Sequence, residues 1–75
     1  MTKKEQIEYI VSEARQAGRN RVNKKKFNED ARRKEYKKLE RNIENAKLYL
    51  VRSTEKQVED LYNRVQKEGA EKVFS

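Results

Sequence analysis

Apolar residues recur every three or four positions along most of this chain, and that spacing is typical of amphipathic helices. Only 33% of the 75 residues are hydrophobic, whereas 44% are charged. The chain has no proline and two glycines, which does not suit a turn-rich β fold. A chain of this length forms one small domain with a thin core. We therefore predict an all-α protein, a small three-helix domain over residues 1–75.

The first helix is predicted over residues 2–17. Thr2 and Glu5 have the spacing of a capping box, in which each residue's side chain accepts a hydrogen bond from the other's backbone N–H at the helix start. Gly18 stands where a glycine C-cap would end the helix. One face of this helix is apolar and carries Ile7, Ile10, Val11 and Ala14.

Residues 19–27 contain five like charges and two asparagines without a clear period, so we predict an irregular basic connector. Phe27 is interpreted as an anchor of this connector onto the core. Stacking on an unpaired base is the alternative, since an aromatic ring beside cations suits such a contact.

A second helix is predicted over residues 28–51, with Asn28 as its N-cap. Its apolar residues alternate at steps of three and four, which is the spacing of a heptad seam. A core seam within one chain and a dimer seam fit this pattern equally well, and we expect a homodimer because the apolar set is small. The seam consists of Tyr36, Leu39, Ile43, Ala46 and Leu50.

A third helix is predicted over residues 54–68, since Thr54 and Gln57 repeat the capping-box spacing and Gly69 is a plausible stop. Residues 70–75 are expected to form a short frayed tail, with packing of Val73 and Phe74 back onto the core as the alternative. The alternative is a helical hairpin with one long C-terminal helix over residues 28–68, because the apolar period continues across the proposed turn.

The residue types needed for most catalysis are missing. The chain has no cysteine and no histidine, which removes thiolate chemistry, the usual general base and the commonest metal ligand. The paired carboxylates lie at helical spacing beside lysines and arginines, as in surface salt bridges. We expect no enzyme activity, no cofactor, no metal and no small-molecule substrate. The polar start of the chain and the lack of a long apolar run predict a cytoplasmic protein without membrane contact.

The net charge of +7 is concentrated in one segment. Residues 15–41 contain twelve basic and four acidic side chains, a net charge of +8, while the rest of the chain carries −1. On a helical wheel, the cations of the second helix fall in a band opposite the seam. We predict that this segment binds a polyanion through Arg19, Arg21, Lys24, Lys25, Lys26, Arg33, Lys34, Lys37, Lys38 and Arg41.

These features favour a small basic helical protein that binds nucleic acid, DNA rather than RNA, mainly through phosphate contacts. The alternative is a non-enzymatic interaction module, an adaptor or inhibitor of the kind found among phage accessory proteins, which docks on an acidic protein surface. The asparagines of the segment, Asn20, Asn23 and Asn28, are interpreted as caps and solvent contacts rather than readers of bases.

Overall fold

The structure, a computed structural model, describes residues 2–74. Its helices are α1 (Lys3–Lys24), α2 (Glu29–Arg52), α3 (Glu55–Glu68) and α4 (Ala70–Val73). The described residues form no strand, so the all-α prediction is confirmed. The molecule is elongated, with extents of 41 × 23 × 16 Å.

The three long helices begin where the sequence predicts, because a local cap fixes each start. Thr2 Oγ1 accepts a hydrogen bond of 3.2 Å from the backbone N–H of Glu5, and the Glu5 carboxylate accepts bonds from the Thr2 hydroxyl and backbone N–H. These bonds, first the one from the hydroxyl, hold the pKa of Glu5 below its usual value. Asn28 caps α2, and Thr54 forms the second capping box with Gln57.

The end of α1 lies elsewhere than predicted, since the helix continues through Gly18 to Lys24. The predicted helix end at residue 17 and the connector over residues 19–27 are therefore wrong. A Cβ added at Gly18 would overlap the side chain of Leu39, so this glycine lets α1 and α2 approach closely instead of ending a helix. Val22 is buried one turn later, and the connector between the helices shrinks to residues 25–28.

α2 and α3 are separate helices, so the alternative of one long C-terminal helix is wrong. Ser53 and Thr54 are both extended, with ψ values of 161° and 159°. The ammonium group of Lys3 donates hydrogen bonds to the carbonyl oxygens of Val51 at 3.0 Å and Ser53 at 2.6 Å. Backbone acceptors at this break are thereby satisfied by a side chain from the other end of the chain.

The predicted frayed tail is wrong for residues 70–73, which form α4. Gly69 ends α3 with a φ of +88°, a conformation that other residues rarely adopt. The turn directs Ala70 into the core, where it is 6% exposed. The structure thus has one short helix more than the three predicted, and Ser75 lies outside the described residues.

α1 is the central helix of the fold. It packs against α2, α3 and α4, and α3 packs against α4, whereas α2 has no comparable packing against α3 or α4. The seam of α2 faces α1, with Ile43 and Leu50 buried and Tyr36, Leu39 and Ala46 half-buried. The core consists of Ile7, Ile10, Val11, Ala17, Ile43, Leu50, Val58, Val65 and Ala70.

Replacing Gly18 with Val tests the close approach of α1 and α2. The added side chain must displace Leu39, and overpacking of this kind costs about 1–3 kcal/mol. We expect urea unfolding followed by circular dichroism to show that loss. In a Leu39→Ala background the loss should shrink, because the obstructing side chain is gone; an equal loss in both backgrounds would contradict the assigned contact.

Replacing Ile43 with Asp tests the seam. Ile43 is 6% exposed, so the substitution places a charge in the core and we expect a loss of about 3 kcal/mol or more in the free energy of unfolding. Asn45→Asp is the matched control on the exposed side of α2, where a change within about 0.5 kcal/mol is expected. Equal losses for the two variants in urea unfolding would show that the seam does not face the core.

Candidate nucleic-acid interface

The ends of α1 and α2 that meet at the connector extend beyond the core as a two-helix projection. The core cluster ends at Ala17 on α1, and Leu39 is the first α2 residue that packs against it. Val22 is buried farther along, outside that cluster. We call residues 19–38, which lie beyond the contact of Gly18 with Leu39, the basic tip.

The basic tip carries the whole net charge of the protein. It contains ten basic and three acidic residues, a net charge of +7, and the remaining residues of the chain sum to zero. Glu29 and Asp30 lie in the first turn of α2, where the helix dipole favours negative charge. Glu35 Oε1 lies 3.8 Å from Lys38 Nζ. Lys38 is the only cation of the tip with an ion pair among the described residues.

All ten cations predicted to bind the polyanion are exposed, and all except Arg41 belong to the basic tip. Arg19, Arg21 and Lys24 lie on α1 rather than on the predicted connector. Lys25 and Lys26 lie in the connector itself. The α2 cations Arg33, Lys34, Lys37, Lys38 and Arg41 lie on the outer side of that helix. The antiparallel pairing of α1 and α2 brings the two sets together at one end of the molecule.

Phe27 does not anchor the connector onto the core, contrary to the sequence-based interpretation. Its side chain is half-buried and does not belong to the core cluster or to the residues packed against it. The Lys25 ammonium lies 6.0 Å from the centroid of the Phe27 ring, at the outer limit of a cation–π contact. Because α1 continues to Lys24, Phe27 lies in the connector of the projection, outside the core cluster.

Two polar contacts join α1 and α2 along one side of the tip and its base. Arg15 Nε lies 3.2 Å from Glu40 Oε1, and this ion pair is partly shielded from solvent. The Tyr36 hydroxyl donates a hydrogen bond of 2.6 Å to Asn23 Oδ1. Arg15 therefore has an acidic partner on α2, and Asn23 is held by a side chain of α2.

The same side of α1 forms a polar groove that the sequence analysis missed. The groove has a volume of about 420 Å³ and is lined by Ser12, Arg15, Gln16, Arg19, Asn20 and Asn23. The sequence analysis placed Ser12, Arg15 and Gln16 on a helix but Arg19, Asn20 and Asn23 in an irregular connector, so the residues of the groove were not recognised as neighbours. The spacing of Gln16, Arg19, Asn20 and Asn23, at i, i+3, i+4 and i+7, was the signal that could have placed them on one helix face.

Within residues 2–74, no group of three or more acidic side chains is arranged to hold a metal ion. None of the helices there is both long enough and apolar enough to cross a bilayer. The chain matches no family model, no curated protein and no solved structure in the comparisons made.

Proposed function

We propose that this protein binds nucleic acid, duplex DNA in particular, through phosphate contacts from the basic tip. One observation carries the proposal: ten exposed cations at one end of the molecule, with Lys38 alone in an ion pair among the described residues. A surface that is merely solvated usually mixes both signs of charge. The acidic residues of the tip are too few to neutralise it, so the positive field extends into solvent.

Phosphodiester backbones are the polyanions that suit such a field. Cations that neutralise phosphates release condensed counterions, and this release drives binding without sequence information. DNA is favoured over RNA because the tip consists of helices. The major groove of B-DNA admits a helix, whereas the deep and narrow major groove of A-form RNA does not.

A second candidate function is protein binding, and exposed apolar residues at the opposite end of α2 favour it. Leu48 is 53% exposed, Tyr49 68% and Val51 55%. Val51 also lines an apolar groove of about 470 Å³ beside Ile7 and Lys47. The heptad seam packs against α1 within the chain, so it is not available to a second copy. We therefore propose that two copies associate through the exposed apolar residues Leu48, Tyr49 and Val51.

Salt dependence tests the nucleic-acid proposal. Four to eight phosphate contacts give a slope of about −4 to −7 in log K against log salt for duplex DNA. We expect fluorescence anisotropy with a labelled 20-base-pair duplex to show this slope between 50 and 200 mM salt. Single-stranded DNA and RNA of the same sequence should bind more weakly. No complex with any of the three at 50 mM salt and micromolar protein would contradict the proposal and favour an acidic protein partner.

Charge reversal on the outer side of α2 locates the contacts. The triple substitution of Lys34, Lys37 and Arg41 by Glu should abolish binding but keep the helical circular dichroism, since all three side chains are exposed. The matched control replaces three exposed lysines outside the tip, Lys4, Lys56 and Lys67, by Glu. It lowers the net charge by the same amount, from +7 to +1. We expect the control to bind only several-fold more weakly, and equal loss in both variants would show that net charge alone, not the tip, determines affinity.

Self-association has its own test. Sedimentation equilibrium at micromolar concentration should show a dimer for the wild-type chain and a monomer for Leu48→Asp, because the substitution charges the exposed apolar residues of α2. Circular dichroism of the variant should be unchanged. A wild-type monomer over this concentration range would contradict the proposed dimer.

A further inference from the structure

The polar groove of α1 differs in chemistry from the rest of the surface. Gln16, Arg19, Asn20 and Asn23 are all exposed and follow one helix face, with Ser12 at one end. Elsewhere the exposed residues are mainly Lys, Glu and Arg, as expected for a chain in which 44% of the residues are charged. No acidic residue lines this groove, so it offers amide groups beside the guanidinium groups of Arg15 and Arg19.

Asn20 stabilises neither the helix nor the core. Asparagine is a poor helix former, since its side chain competes for backbone hydrogen bonds, and each costs about 0.5 kcal/mol relative to alanine. Asn20 is exposed and makes no side-chain hydrogen bond with another described residue. Arg19 is exposed and has no ion pair within residues 2–74. Their polar groups are available to a ligand.

Asn23 is oriented by a contact from the neighbouring helix. The Tyr36 hydroxyl donates to its Oδ1 at 2.6 Å, which fixes the amide plane and leaves the two Nδ2 donors and a second Oδ1 lone pair unoccupied. A fixed amide with both a donor and an acceptor is the group that pairs bidentately with the N6 and N7 positions of adenine. Arginine pairs in the same way with O6 and N7 of guanine.

We infer that the face formed by Gln16, Arg19, Asn20 and Asn23 reads base edges in the major groove of duplex DNA, at sites where an A·T pair and a G·C pair occupy fixed positions. The inference rests on the proposed function. The cations of the tip position the protein on the phosphates, and the α1 face discriminates between sequences. Arg15 lines the same groove, and its Nε lies beside the Glu40 carboxylate.

Selection from a library of duplexes with 20 randomised base pairs tests the inference, with the wild-type protein as bait at 150 mM salt. We expect an enriched motif of a few base pairs with at least one A·T pair and one G·C pair at fixed positions. Affinity is then compared between the enriched duplex and a shuffled duplex of equal composition. Asn20→Ala and Arg19→Ala should each weaken binding to the enriched duplex about tenfold to a hundredfold, as expected for a lost bidentate base contact. For Asn20→Ala, binding to the shuffled duplex should change less than about threefold, since only phosphate contacts remain there. Arg19→Ala also removes a cation of the tip, so it should weaken binding to the shuffled duplex by the loss of one phosphate contact, and its loss on the enriched duplex should be larger.

Two further variants separate base reading from other roles. Lys37→Ala removes a cation of the tip, so it should weaken binding to both duplexes equally and reduce the salt slope by about one. Tyr36→Phe removes the hydroxyl that holds Asn23, so it should lower affinity for the enriched duplex alone, with helical circular dichroism unchanged. Tyr36 is then a positioning residue rather than a contact residue.

The outcomes distinguish failure of the inference from failure of the proposed function. Binding to the library without enrichment of any motif, or equal loss of affinity for both duplexes in Asn20→Ala, would overturn the inference and leave phosphate binding intact. No binding to the library at 50 mM salt would overturn both.

Discussion

The packing of α1 against every other helix is the interaction on which the rest of the structure depends. α2 on one side and α3 with α4 on the other are joined mainly through the apolar residues of α1, such as Ile10, which is 1% exposed. Where Gly18 faces Leu39, the backbones approach closely enough for the hairpin of α1 and α2 to continue past the core. The basic tip therefore exists because a thin core is built around one long central helix.

The parts of this fold that depend on nearest neighbours were predictable from the sequence, and the parts that depend on contacts distant in the chain were not. Thr2, Asn28 and Thr54 start their helices through bonds that span three residues, so the sequence shows them directly. Gly18 has two meanings, a C-cap or a close approach, and only the position of Leu39 decides between them. The break at Ser53 involves Lys3, fifty residues away, which no local pattern reveals.

The candidate site likewise has features that the sequence alone reveals and features that depend on contacts distant in the chain. The concentration of cations between residues 15 and 41 is a property of composition, and the structure keeps every predicted cation exposed. The polar groove could be recognised only once α1 was known to extend to Lys24, because Asn20 and Asn23 then lie on the same helix face as Gln16. The orientation of Asn23 also needed the pairing of α1 with α2, because its partner Tyr36 lies thirteen residues away.

The concentration of +7 in the basic tip has a consequence for stability itself. Ten cations on the two ends of the hairpin and its connector repel one another, and that repulsion is opposed by one buried residue of the tip, Val22, and by the hydrogen bond from Tyr36 to Asn23. Salt that screens the repulsion strengthens the folded tip, although the same salt weakens any contact with a polyanion. A bound polyanion relieves the repulsion and stabilises the native state by linkage. The tip is thus least stable in the dilute buffer in which its attraction for any polyanion is strongest, and folding and the proposed binding respond to ionic strength with opposite signs.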